Sequence, residues 1–149
     1  MDDFEIARAD TEAARQDCFR IREAVFVVEQ QVPLALEYDD YDAEALHVLA
    51  RRGVVPVATA RVVLQHGGRI AKIGRVAVLQ AARGTGAGAA VMRWLERDPA
   101  VAGAAEFVLE AQTHALRFYE KLGYAAEGPE YLDAGIPHRL MRKANPAQA

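Results

Sequence analysis

Cys18 is the only cysteine in the chain, so no internal disulfide can staple the fold. The sequence has no Cys-x-x-Cys and no histidine pair at helical spacing, which removes the usual framework of a structural zinc site. No stretch approaches the roughly 20 apolar residues that span a bilayer, and the opening Met1-Asp2-Asp3 is acidic where a secretion signal would be basic. A cytoplasmic protein without a membrane partner is expected. Lys and Arg total 18 against 21 acids and never gather into a run, so the formal net charge is -3 and no nucleic-acid footprint is present. The partner is expected to be small. What the chain does have is 149 residues, 52% of them hydrophobic and many of those Ala, enough for one core that removes roughly 70% of the extended surface from water.

Hydrophobic periodicity predicts a single α+β domain over 1–144, with 145–149 as a disordered tail. Phe4, Ile6 and Ala9 alternate as a strand; Asp10 or Thr11 can then cap a helix carrying Cys18, Ile21, Val25 and Val28 and stopped before Pro33. Residues 34–45 are acidic, aromatic and turn-prone, and read as an exposed loop. Residues 46–51 and 54–64 form a hairpin pattern around Arg52-Gly53, and Gly67-Gly68 turns the chain into a third antiparallel strand, 70–79. A helix over 86–97, a strand over 107–111, a short helix over 115–122 closed by Gly123, and strands over 124–127 and 137–142 complete the reading.

The most informative segment runs from Arg75 through Val76-Ala77-Val78 to Arg83-Gly84-Thr85-Gly86-Ala87-Gly88, where a strand enters a helix through a glycine-rich loop. Three glycines in five residues expose consecutive amide N–H groups, the helix adds its dipole, and Arg83 adds a permanent charge, a combination suited to pyrophosphate. A plain Gly/Ala turn has the same letters. Ala89-Ala90 after Gly88 excludes a Walker loop, which needs Lys then Ser or Thr. A small dinucleotide-binding domain stays open as a rival, with Gly84-x-Gly86-x-x-Ala89 as the fingerprint and Glu110 as the ribose acid. Too few residues follow Glu110 for that fold's second half.

A second segment, Leu116 to Tyr124, is a short amphipathic helix with a glycine stop, an account that does not require Tyr119. Together, Arg83-x-x-Gly86-x-Gly88 and Gln112-x-x-Ala115-x-x-Phe118-Tyr119-Glu120-Lys121-Leu122-Gly123-Tyr124 resemble the GNAT superfamily of N-acetyltransferases. Ile21-Arg22-x-x-Val25-Phe26-x-x-Glu29-Gln30 and Ala134-Gly135-Ile136-Pro137-His138 are similar to its small bacterial branch.

The resemblance implies a GNAT-like α+β fold, a mixed central sheet of about six to seven strands with helices on both faces. Acetyl-CoA would lie where two parallel strands splay near Val78 and Ala111. Val76, Ala77 and Val78 would meet the pantetheine arm, and Arg83, Gly84, Thr85, Gly86, Ala87 and Gly88 the pyrophosphate. Gln112, which stands where many members have Asn, would be a further cofactor contact together with Phe118 and Tyr119. An amine acceptor would attack the thioester directly in a ternary complex, with no metal. Tyr119 takes the family position of the group that receives the thiolate. The amine must first lose a proton, since alkyl amines have pKa values near 10.4. Glu29, Glu110 and His138 are the candidate bases, while His47, His66, His114 and Cys18 read as structural or solvent-facing. A binding module that kept the coenzyme A cleft without chemistry is the alternative. The acidic stretch 37–42 suggests a cationic acceptor such as a polyamine, aminoglycoside or Lys-like amine, and a homodimer through edge strands would be in keeping with domains of this type.

Overall fold

The computed structural model describes residues 3–148; Met1, Asp2 and Ala149 lie outside the described residues, and with them part of the acidic start. A seven-stranded sheet runs in the order β1-β2-β3-β4-β5-β7-β6. Its strands are β1 (Glu5–Arg8), β2 (Leu46–Arg52), β3 (Val55–Gln65), β4 (Ile70–Val78), β5 (Glu106–Gln112), β6 (Ala125–Asp133) and β7 (Ile136–Ala144). Every neighbouring pair is antiparallel except β4 and β5, so the sheet is mixed as expected. A doubly wound parallel sheet is absent from this topology, which removes the dinucleotide reading.

Helices cover both faces. α1 (Glu12–Arg22) starts at Thr11, whose side-chain oxygen accepts from the Ala14 amide at 3.1 Å, and lays Cys18, Ile21 and the following Val25 on Leu49 and Ala77. Past Arg22 the helix widens to π geometry over Glu23–Glu29, with the Gln30 amide bonding the Val25 carbonyl at 3.2 Å. On the opposite face α3 (Ala87–Glu96) buries Val91, Met92 and Leu95 against Val62, Ile73, Phe107 and Met141, the main core. The short α4 (Leu116–Glu120) adds Tyr119 to that core and stops at Gly123, whose φ of +98° a side chain would resist.

Two expectations are corrected. Residues 34–45 are no exposed loop: they form α2 (Leu34–Glu37) and a 3-10 turn (Asp40–Ala43), and Glu37 is buried. Of the expected disordered tail, the described residues 145–148 are fastened: Asn145 is buried, its amide donating to the carbonyls of Val101 at 3.2 Å and Ala104 at 2.8 Å, and Pro146–Gln148 makes a 3-10 turn behind it. An Asn that satisfies two buried carbonyls is invisible to composition, which sees only a polar end. The last two strands also run further than their apolar patterns, because β6 is largely exposed and carries little hydrophobic signal.

Candidate functional site

β4 is paired on both sides only in its first half. Its parallel register with β5 runs from Ile70↔Glu106 to Ile73↔Leu109 and ends there. On the other side, Thr59↔Ala77 is followed by Arg61↔Gly74, so Arg75 and Val76 together face Ala60. That bulge, with Arg75 in the left-handed region at φ +51°, bends β4 away from β5. Beyond it the strand edge from Gly74 to Val78 faces a cavity of about 1020 Å³ instead of a neighbour.

The glycine loop stands at the mouth of this opening. Gly86 is the N-cap of α3 at φ +90° and offers no side-chain cap, so the first-turn amides of a ten-residue helix are left for another acceptor. Gly84, at φ +78°, and Gly86 have nothing within 4 Å of a built Cβ, so their lack of side chain keeps the approach clear. At Gly88 the constraint is different: a Cβ would sit 3.1 Å from the Phe118 ring and 3.4 Å from Val78, so this glycine lets α3 and α4 close on each other.

Tyr119 lies below the opening, 8% exposed, with Phe118 and Tyr124 edge-on at 4.9 and 6.1 Å. Burial pushes its phenol well above the ordinary range, so it is a neutral hydrogen-bond donor at any ordinary pH. Its hydroxyl makes no hydrogen bond among the described residues. The other wall of the cavity is formed by β4, β5 and β7, through Lys72, Glu110 and His138. There Glu110 accepts from Tyr131 Oη at 2.7 Å and pairs with Lys72 Nζ at 3.0 Å. Burial opposes its charge, but these two partners prevail and hold the carboxyl below its ordinary value. His138 stacks on Tyr131 at 6.0 Å, and its Nδ1 lies 2.6 Å from the Ile136 carbonyl. Only an Nδ1–H satisfies that contact, which leaves the lone pair of a neutral ring on Nε2.

A family model described as an acetyltransferase (GNAT) domain matches residues 9–145 of this chain. The chain belongs to the GNAT acetyltransferase family. It is 41% identical over 136 residues to the uncharacterized N-acetyltransferase YjcF of Bacillus subtilis, covering 91% of this chain and 96% of that one. Among solved structures it is similar to an acyl-CoA N-acyltransferase from Pseudomonas aeruginosa, with 32% identity and a TM-score of 0.80 over 97% of this chain and 100% of that one. Escherichia coli ElaA gives 28% identity and a TM-score of 0.78 over 96% and 99%. The chemistry of the family is acyl transfer from a coenzyme A thioester, and the α+β fold is the family's fold.

Within this member, the residues expected to meet the carrier line the cavity together, Thr85 excepted; its hydroxyl donates to the Ala82 carbonyl. Two of them are already engaged. Arg83 forms a two-pronged pair with Glu29 at 2.8 and 2.9 Å and reaches the Val78 carbonyl, and the Gln112 amide exchanges hydrogen bonds with Gln30 at 2.8 and 3.1 Å. Consecutive residues at the end of the π-helical turn thus strap both sides of the opening. Glu29 lines the cavity paired to a guanidinium, and His138 lines it from β7. Cys18 is fully buried, with burial pushing its thiol up, and His47 is buried against the Asp42 carbonyl at 2.9 Å with its charged form disfavoured by that burial.

The feature that sequence reasoning missed is a closed ionic network under the opening. Arg22, 1% exposed, bonds Glu37 at 2.8 Å and Asp42 at 2.8 and 3.1 Å. Arg61 takes Asp39 with both prongs at 2.6 and 2.7 Å and Asp42 at 2.7 Å, and Arg75 from the bulge reaches Glu37 and Asp39 at 3.3 Å each. Burial opposes the charge of Asp42, yet Arg22 and Arg61 hold its carboxyl at about 2; for Glu37 burial prevails and pushes its carboxyl up. Of the acids in 37–42 expected to attract a cationic acceptor, Glu37, Asp39 and Asp42 are therefore neutralised by three arginines of this chain, and the exposed Asp40 stands outside the network. Among the described residues no group of three or more His, Cys, Asp or Glu could hold a metal ion, and no helix is long and apolar enough to cross a membrane.

Proposed function

We propose that this chain transfers the acetyl group of acetyl-CoA to a primary amine of a small molecule or peptide by direct attack in a ternary complex. The observation that carries the reading is the parting of β4 from β5 beyond Ile73, with the uncapped N-terminus of α3 at its mouth. An unpaired strand edge offers Val76 to Val78 to the amides of a pantetheine arm as an added strand would be held. The amides of Gly84 to Gly88 suit the pyrophosphate, and Arg83 becomes available to it by leaving Glu29.

In the transfer, the amine nitrogen bonds the thioester carbonyl carbon, the carbon–sulfur bond breaks, and sulfur leaves as thiolate. The amine's proton goes to His138, whose Nε2 lone pair is held ready by the Nδ1–H bond to Ile136. Tyr119 steadies the departing sulfur. Because burial raises its pKa further above that of a thiol, it acts by donating a hydrogen bond and not by giving up its proton. No covalent enzyme intermediate is needed, in keeping with the inaccessibility of Cys18.

Calorimetry with acetyl-CoA, combined with thiol release over a panel of amines, tests the proposal. Micromolar binding with amine-dependent release is expected, and Tyr119→Phe should lower kcat by ten- to a hundredfold while leaving the Kd for acetyl-CoA within about twofold. Binding without release for any amine would leave only a coenzyme A module, and equal turnover in the two proteins would remove Tyr119 from the mechanism.

A further inference from the structure

Apolar side chains exposed to solvent are concentrated beside the cavity. Among the described residues, four of the eight large hydrophobic side chains left exposed fall within 28–41: Val28, Leu34, Leu36 and Tyr41. Leu36, 56% exposed, and Tyr41, 51% exposed, line the cavity itself, on the two short turns that form its acceptor-side rim. Scattered exposed apolar residues need no explanation, but a cluster at the lip of a ligand cavity marks what the ligand covers.

The charges of the same wall point the same way. Of the acids lining the cavity, Glu37 and Asp39 are held by arginines, Glu29 by Arg83, and Glu110 by Lys72. Asp133 alone has no ion pair among the described residues. A polycation would find one free carboxylate where it needs several, and its remaining ammonium groups would be desolvated against Leu36 and Tyr41.

Resting on the acetyl-transfer reading above, we infer that the acceptor is a monoamine on an apolar aliphatic or aromatic body, which lies against Leu36 and Tyr41 while its nitrogen meets the Glu110–His138 wall. Polyamines and aminoglycosides, which the acidic sequence of 37–42 suggested, are poor acceptors on this account.

The test is kcat/KM by thiol release from acetyl-CoA for n-alkyl primary amines from propyl to octyl, for phenethylamine, and for spermidine and an aminoglycoside. Each added methylene is expected to raise kcat/KM about three- to fourfold until the rim is covered, with phenethylamine well above spermidine. Leu36→Ser and Tyr41→Ser should flatten that slope through KM, with the Kd for acetyl-CoA unchanged; both side chains are exposed, so the fold is not at risk. A flat series, or turnover confined to spermidine and the aminoglycoside, overturns the inference and leaves acetyl transfer standing. No release with any amine overturns acetyl transfer and the inference with it.

Discussion

The two walls of the cleft are made of different material. The wall proposed to receive the carrier is main chain: a strand edge, glycines at positive φ and the first turn of α3, with Arg83 as its one long charged side chain. The wall proposed to receive the acceptor is side chain, a rim of Leu36 and Tyr41 standing on a largely buried lattice of three arginines and three acids drawn from α1, α2, the 3-10 turn that Asp39 caps, β3 and β4. Main-chain amides present the same donors whatever the neighbouring residues are, which suits a ligand of constant chemistry. A side-chain rim changes with each substitution, while the ionic lattice beneath holds the backbone that carries it. Arg22, Arg61 and Arg75 suit that task because a planar guanidinium fixes two directions at once.

Removing a lattice member should do most to break the contrast. Arg22→Ala leaves buried Glu37 with only the longer contact to Arg75 and Asp42 with only Arg61, and should lower unfolding free energy by about 3 kcal/mol in urea titration. A loss below about 1 kcal/mol would make the lattice incidental. On the carrier wall the corresponding change acts on binding: Gly86→Val forces a branched residue to φ +90° and covers the approach, raising the Kd for acetyl-CoA ten- to a hundredfold by calorimetry. Because nothing lies within 4 Å of the new Cβ, its effect on stability should be confined to backbone strain of about 1–3 kcal/mol.

Acid titration sharpens the comparison further. The Asp42 carboxyl is held at about 2 against an ordinary 3.8, a depressed value, so its stabilisation is present above 3.8 and is lost as pH falls toward 2. That contribution is on the order of 2 kcal/mol, and the stability gap between the protein and Asp42→Asn should narrow by that amount over this window. Glu37, raised by burial, has the opposite sign and is common to both proteins. A gap independent of pH would assign the Asp42 effect to packing. The smallest effect is at the strap: Glu29→Gln should free Arg83 and tighten acetyl-CoA by up to about fivefold, the worth of an exposed ion pair. A loss of turnover with affinity unchanged would instead make Glu29 the base.

This division of material also explains what could be read from the letters. The hairpin of β2 and β3, the cap at Thr11, the loop into α3 and the stop at Gly123 are local devices whose residues lie within a few positions of each other, and each stands within about two residues of its expected place. Carrier-side residues inherit that legibility. The lattice does not, because Glu37 meets its partners 15 and 38 positions away, on α1 and at the β4 bulge. Seen alone, Glu37 to Asp42 is a hydrophilic stretch and reads as solvated. Gln112 likewise carried a family position but not its bond to Gln30, 82 residues distant.

The short parallel seam between β4 and β5 also shapes how the chain reaches this state. On one side β2, β3 and β4 zip through short antiparallel connections, with β1 added across the helical segment between Arg8 and Leu46, and on the other β6 and β7 form a hairpin of their own. The two halves meet through four register pairs whose members lie about 36 positions apart, with α3 in between. Loop closure across that distance costs more than closing either set of hairpins, so the halves are expected to dock after their hairpins form, and the cleft takes shape only with that docking.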